Sequence, residues 1–362
     1  MSESHHSIHV LGSRQFGGAD QFYVRLVRAL NEAGERVLAV NRKGSPVAQA
    51  LGAEGIDQLH VPLANGWDLW SVWLLRNLVA RHDPCVVQTY MGRATRLTRL
   101  PRNSGAVHVA RLGGYYKIDG YYRHCHAWIG NTRGICDYLV RSGLPVDRVH
   151  QIGNFVPDAI RPAREELEQL RQTWNIPDDA WVVFALGRLI EVKGFEDLLR
   201  AVADMPSQIG GRPVVVLIAG DGSMATDLKS LAESLGLEDR IRWLGWQNRP
   251  DPYYSLADLF VCPSRHEPLG NVILEAWNHG LPVVSTSTAG ATELIEDGRS
   301  GMLCPVKDPG ALAALIQSVL QASEQDRLGL GRQGQTYLQD HFSREAILGA
   351  YLELYGNLLS SR

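Results

Sequence analysis

No run of apolar residues in this 362-residue chain approaches the ~20 needed to cross a bilayer as a helix, which excludes a bundle of membrane-spanning helices. Cysteine is scarce: five residues, Cys85, Cys125, Cys136, Cys262 and Cys304, odd in number and never spaced as Cys-x-x-Cys. That argues against a disulfide scaffold and for reduced thiols in the cytoplasm. No Asp-x-Asp triplet occurs, so a carboxylate clamp for a divalent cation has no obvious ligands. The opening stretch "MSESHHSIHVLG" lacks the basic region, long apolar core and cleavage site of a signal peptide, so export is not expected. Short-period repeats and low-complexity segments are absent too. A strong basic excess is also missing: the net charge is −3, which argues against a nucleic-acid binder.

What is present is an ordinary globular composition, 45% hydrophobic and 21% charged, in a chain long enough for two domains. Charge is divided unevenly. Residues 1–157 carry 18 Lys or Arg against 11 Asp or Glu, and the remainder carries 18 against 28. A basic half suggests an anionic partner, although uneven surface composition explains the same numbers. Short β-branched runs alternate with amphipathic stretches in both halves: "SIHVL", "RVLAVN", "CVVQTY" and "AVHVARL", then "WVVFALG", "VVVLIAG", "LFVCPS" and "LPVVST". That alternation predicts an α/β chain of two doubly wound, Rossmann-like domains, with ligands at the carboxyl ends of the strands and in the cleft between the domains. "GNFVPDAIRPAREE" reads as the connector. The expected divisions are 1–157, 158–342 and a terminal helix, 343–362, packing back on the first domain.

Three stretches invite chemistry. "RHEPLGNVILEAWNHGLPVV" sets Glu267 and Glu275 on either side of a Pro-Leu-Gly turn. A helix beginning near Leu269 places Gly270 and Asn271 in its first turn, where backbone N–H groups suit an anion such as a diphosphate. Glu275 falls roughly 9 Å farther along. Two carboxylates bracketing a diphosphate site can hold the hydroxyl-rich groups on either side of a nucleotide sugar. The same glutamates read equally well as a solvated loop residue and an exposed helix residue. "ALGRLIEVKGFEDLLRAV" places Arg188 and Lys193 after a strand ending at Gly187, where two cations can neutralise a leaving diphosphate or merely flank a turn. "LGSRQFGGADQF" puts Gly17 and Gly18 between the first strand and first helix, without the fingerprint or the acidic second-strand end of a nicotinamide site. Gly222 lies in a similar turn, "AGDGSM".

Together these stretches resemble the retaining glycosyltransferases of family four, which have the GT-B fold. "GGADQFYVRLVRAL", "RVHQIGNFVPD", "GRLIEVKGFEDLLRA", "LIAGDGSM", "RIRWLGW" and "PSRHEPLGNVILEAWNHGLPVVST" carry the resemblance over almost the whole chain, more specifically in the second half. Phe155-Val156 stands where the family has Gly-Val. The resemblance implies that Glu267 contacts donor-sugar hydroxyls, Glu275 the nucleotide ribose, and Arg188 and Lys193 the diphosphate. It implies that Leu269, Gly270 and Asn271 offer backbone amides, that Gly17, Gly18, Gly187 and Gly222 line the donor site, and that the base lies near Trp246 and Gln247. Many relatives place a His where this chain has Leu112-Gly113-Gly114, so no catalytic histidine is assigned.

No cofactor is expected; the nucleotide sugar is the donor substrate. His124, Cys125 and His126 are ligand types, but neighbours ahead of a strand point alternately apart, so no metal is expected. On the acceptor side, Arg111, Tyr115, Tyr116 and Asp119 suit a sugar, or pack. Arg93, Arg96, Arg99 and Arg102 recur every third residue, so a helix would align them for an anionic inner membrane or glycolipid, or leave them solvated. The leading reading is a cytoplasmic transferase extending lipopolysaccharide or another cell-surface glycan. The alternatives are a GT-B enzyme with a soluble product, a nucleotide-sugar epimerase, or a non-catalytic nucleotide-sugar-binding subunit.

Overall fold

The computed structural model describes residues 6–14 and 16–361. The first five residues, on which the export expectation partly rests, lie outside it. The apolar runs become strands whose residues are buried on both faces, as parallel sheets covered by helices require. β1 (His6–Leu11), β2 (Arg36–Asn41), β3 (Gln58–His60), β4 (Val86–Tyr90), β5 (Val107–Leu112), β6 (Ala127–Gly130) and β7 (Val149–Gln151) form one sheet in the order β3-β2-β1-β4-β5-β6-β7. All its pairings are parallel, with Ile8 between Leu38 and Val87 setting the central register.

The second sheet is built from β8 (Trp181–Leu186), β9 (Gln208–Ile209), β10 (Arg212–Ala219), β11 (Ile241–Gly245), β12 (Leu259–Cys262), β13 (Val283–Thr286) and β14 (Met302–Cys304). Its parallel path is β11-β10-β8-β12-β13-β14, and β9 adds an antiparallel pairing with β10 that the sequence reading did not foresee. In each sheet the strand order reverses once, between β1 and β4 and between β8 and β12. Such reversals leave a crevice at the strands' carboxyl ends, because the flanking loops turn to opposite faces.

The chain divides into two compact units. One ends at Pro157 and resumes at Phe342; the other is Asp158–His341. The terminal helix Arg344–Ser360 therefore belongs to the first unit, where Tyr351 and Tyr355 are fully buried with Leu11, Phe22 and Leu26. Burying each large apolar side chain contributes about 1.5–3 kcal/mol. The helix Gly18–Glu32 shows why the pattern works: Phe22, Tyr23, Leu26, Val27 and Leu30 recur on one face at the helical period and all are buried. Among the described residues no helix is long and apolar enough to cross a membrane.

Candidate active site

In the second unit the loop after β8 and the loop after β12 flank the reversal in strand order. They are joined by their backbones: the N–H groups of Arg265 and His266 donate to the Val192 carbonyl at 2.9 and 3.1 Å. Gly194 permits this approach. Its φ is +66°, and a Cβ there would lie 2.0 Å from the Pro263 carbonyl oxygen, a position closed to every other residue. Arg265, which the sequence reading passed over, fixes the same junction. Its Nε and Nη2 donate to the two Asp197 carboxylate oxygens at 2.7 and 2.6 Å, with Glu196 at 3.4 Å. Those bonds from Asp197, and the charges of Asp197 and Glu196, hold the guanidinium pKa above its ordinary value. A planar fork on a nearly buried carboxylate is a rigid joint.

The joined loops bring together two residues separated by 74 positions: Lys193 Nζ donates to Glu267 Oε2. Their side chains keep 21% and 13% of their exposure, so the pair is sheltered yet reachable. The Glu267 carbonyl accepts from Gly290 N–H at 2.8 Å, which ties in the loop after β13. Gly270, at φ +92°, turns the chain into the helix Asn271–Asn278, which starts two residues later than expected because only Gly270 enters it from the left-handed region. The helix N-terminus brings partial positive charge beside Glu267. Glu275 is half-buried on this helix, not the exposed residue of the alternative reading. Its Oε2 accepts from Tyr254 O–H at 3.2 Å, and Tyr254 is held by stacking on His279.

Other expected donor residues fall at neighbouring strand ends. Arg188 is exposed immediately after β8. Gly187 N–H donates to the Ala219 carbonyl at 3.0 Å, and Gly222 abuts Leu189, whose carbonyl oxygen would lie 2.4 Å from an added Cβ. Leu269 is buried under the turn. Trp246 is 52% exposed on the turn after β11; its Nε1 donates to Asn248, and Gln247 Nε2 donates to the Leu244 carbonyl at 2.6 Å. That turn is joined to the loop after β10 by Gly220 N–H to the Gly245 carbonyl at 2.8 Å.

In the first unit, Gly17 caps the helix Gly18–Glu32 and Gly18 is exposed at its start. Gly17 N–H donates to Asp20 Oδ2 at 2.8 Å, while Asp20 Oδ1 is buried without a hydrogen-bond partner among the described residues. A buried carboxylate oxygen left over in this way is rare, and the sequence reading missed Asp20 because a first-turn acid reads as a cap. Tyr116 lies half-buried nearby. Burial raises its phenol pKa, with Arg111 opposing and Asp20 reinforcing the shift. Tyr115 is exposed with its ring against Tyr138, and Asp119 is paired with Arg123 on the surface.

Three expectations need correction. Arg111 is buried, and its guanidinium donates to the Tyr351 hydroxyl oxygen and to Asn154 and lies over Phe22, so it packs as a core residue and not as an exposed contact. The arginines at 93, 96, 99 and 102 do not share a helix face, because the helix Met91–Leu97 ends before the last two. Arg93 instead donates to the Gly12 and Leu63 carbonyls, and Arg96 lies 4.0 Å over Trp67. His124 and Cys125 do not diverge: a ring nitrogen of His124, a ring nitrogen of His108 and the Cys125 thiol lie within 4.8 Å of one another. An apolar patch also escaped notice. Trp67, Leu69, Trp70 and Trp73 are 79%, 79%, 59% and 52% exposed, with Trp70 and Trp73 stacked.

Comparison with known proteins gives a consistent picture. A family model described as glycosyl transferases group 1 matches residues 167–336. The lipopolysaccharide core biosynthesis glycosyltransferases LpsE and LpsD of Rhizobium meliloti are similar along nearly their whole length. LpsE is 34% identical over 93% of this chain and 95% of its own, and LpsD is 31% identical over 96% and 97%. Among solved structures, Anabaena Alr3699/HepE in complex with UDP and glucose superposes with a TM-score of 0.84, covering 98% of this chain and all of its own at 20% identity. The fold is that of the GT-B glycosyltransferases.

Proposed function

The chain belongs to the group 1 glycosyl transferases, related to lipopolysaccharide core enzymes, and from that premise we propose a retaining, family-four transferase that moves a sugar from a nucleotide-sugar donor to a glycan or glycolipid acceptor of the cell surface. The observation that carries this reading is the Lys193–Glu267 pair beside the N-terminus of the helix that bears Glu275. Breaking the anomeric C–O bond leaves an oxocarbenium-like sugar and a departing diphosphate, and stabilising that charge is the main electrostatic task. Lys193, Arg188 and the amides at Gly270 and Asn271 answer it on the diphosphate side. Glu267 takes the sugar hydroxyls and Glu275 the ribose. The pairing has a consequence for binding: the donor diphosphate competes with Glu267 for Lys193, and Glu267 is thereby released to accept from the sugar. The charge needed at the diphosphate is thus supplied without a divalent cation there. Retention follows from attack on the face the phosphate leaves, or from double displacement.

On the acceptor side, Tyr115, Tyr116 and Asp119 remain. The acceptor reading favours a lipid-linked glycan, because the exposed Trp67, Leu69, Trp70 and Trp73 with Arg96 have the amphipathic and cationic character that suits an anionic membrane surface. The deciding experiment is a thermal-shift screen against UDP, GDP, ADP and their sugars, followed by transfer to a cell-envelope extract. A ligand at 100 times its dissociation constant stabilises the native state by about 2.7 kcal/mol. No shift with any nucleotide defeats the reading. Donor turnover that yields a soluble glycoside, or an epimerised donor, selects an alternative instead.

A further inference from the structure

The cluster at His108, His124 and Cys125 belongs to the first unit and takes no part in the chemistry above. His108 is the second residue of β5, at its amino end, and His124 and Cys125 precede β6. Ligands of doubly wound sheets bind at the carboxyl ends, so this is a different site. Two of its side chains are buried and the third is half-buried.

One hydrogen-bonding scheme satisfies the polar groups around the two rings. Thr95 O–H donates to the Met91 carbonyl at 2.9 Å, so its oxygen accepts from Thr89 O–H, also at 2.9 Å. Thr89 Oγ1 lies 3.0 Å from His108 Nε2 and 3.5 Å from the Val109 carbonyl, and the same His108 nitrogen is 3.8 Å from Cys125 Sγ; with Thr89 accepting, His108 carries its proton on Nε2. His108 Nδ1 keeps a lone pair that is buried and has no partner among the described residues. His124 Nε2 faces two carbonyl oxygens, those of Thr95 and Thr98, each at 3.0 Å, so it too carries the proton there and leaves Nδ1 as a lone pair. A ring N–H held by a hydroxyl or backbone carbonyl while the other nitrogen stays unprotonated is the arrangement found behind metal-ligating histidines. A cavity of about 400 Å³ opens beside the cluster, lined by His108, His124, His126, Arg99 and Ser104.

We propose that His108, His124 and Cys125 form a binding site for a Zn²⁺-type cation. Two imidazoles and one thiolate select a borderline-soft ion over Mg²⁺ or Ca²⁺, and three protein ligands leave a fourth position for water from the cavity. Binding breaks one S–H bond, forms one metal–sulfur bond and releases one proton to the buffer. The bound ion joins the start of β5 to the chain entering β6, and so stabilises the first unit.

The test is titration of chelator-treated, dialysed full-length protein with Co²⁺, then Zn²⁺. One equivalent of Co²⁺ per chain is expected to give a thiolate-to-cobalt charge-transfer band that Zn²⁺ displaces, with one proton released per ion. Cys125→Ser should abolish the band, Cys136→Ser should keep it, and Thr89→Val, which removes the partner of His108, should weaken Zn²⁺ binding about 10–100-fold. Absence of the band from the wild-type protein overturns the proposal whether or not any variant folds. So does a band that persists in Cys125→Ser, since it would place the ion on another thiol.

Discussion

At the residue scale the site turns on pairs, and a pair is worth more than its members read singly. Glu275 is half-buried, accepts from Tyr254 and lies on the helix proposed to hold the ribose. Glu275→Ala is expected to weaken nucleoside-diphosphate binding by about 1.5–3 kcal/mol, the scale of a charge-assisted hydrogen bond. Calorimetry giving the wild-type affinity would remove that role. Arg188→Ala and Lys193→Ala are expected to lower turnover at saturating donor more than they lower the melting temperature, because their charges act on a diphosphate that gains charge as the bond breaks. Turnover surviving in both variants would strike them from the leaving-group machinery. Turnover should also persist when free Mg²⁺ and Mn²⁺ are removed.

At the scale of elements, the terminal helix Arg344–Ser360 is the part whose chemistry differs most from expectation. Arg111, at 3% exposure, is held by Tyr351 O–H at 2.9 Å, and Tyr355 O–H donates to Gln88 on β4 at 2.8 Å. Tyr351→Phe leaves a guanidinium N–H buried without its partner and is expected to cost on the order of 1–3 kcal/mol in urea unfolding. A loss under a few tenths would mean that Arg111 has found another acceptor. Strand β1 supplies a second case. Burial lowers the His9 pKa to about 3, against roughly 6.5 in the unfolded chain. As pH falls below 6.5 the unfolded chain takes up protons that the folded unit refuses. This contribution is therefore full above pH 6.5 and is lost toward pH 3, at up to about 1.4 kcal/mol per pH unit. A melting temperature of the first unit that stays level between pH 7 and 5 would contradict this.

At the scale of the whole molecule, the basic first half has a more particular meaning than its charge count suggests. The arginines do not form one stripe; the exposed surface instead combines Arg96 with Trp67 and the stacked Trp70 and Trp73. Replacing the three tryptophans by Ser and Arg96 by Gln is expected to reduce binding to anionic vesicles while leaving donor hydrolysis intact. The cationic part should contribute about 1 kcal/mol per residue near the surface and fade as salt rises. Equal vesicle binding by variant and wild type at low salt would return the patch to an ordinary exposed face.

The sequence by itself determined the fold class and nearly every strand, and it marked the candidate donor residues of the second unit. β-branched runs between amphipathic helices have few ways to bury themselves, and loops at strand ends carry their polar residues in consecutive, readable order. It could not determine what depends on distant chain segments meeting. That Arg111 lies under Tyr351, 240 positions away, is decided by the terminal helix covering the first sheet. That Lys193 meets Glu267 is decided by β8 and β12 being neighbours on either side of the reversal in strand order. The convergence of His108 with His124 and Cys125 likewise required β5 and β6 to lie side by side in parallel, since their spacing along the chain gave no sign of a shared centre.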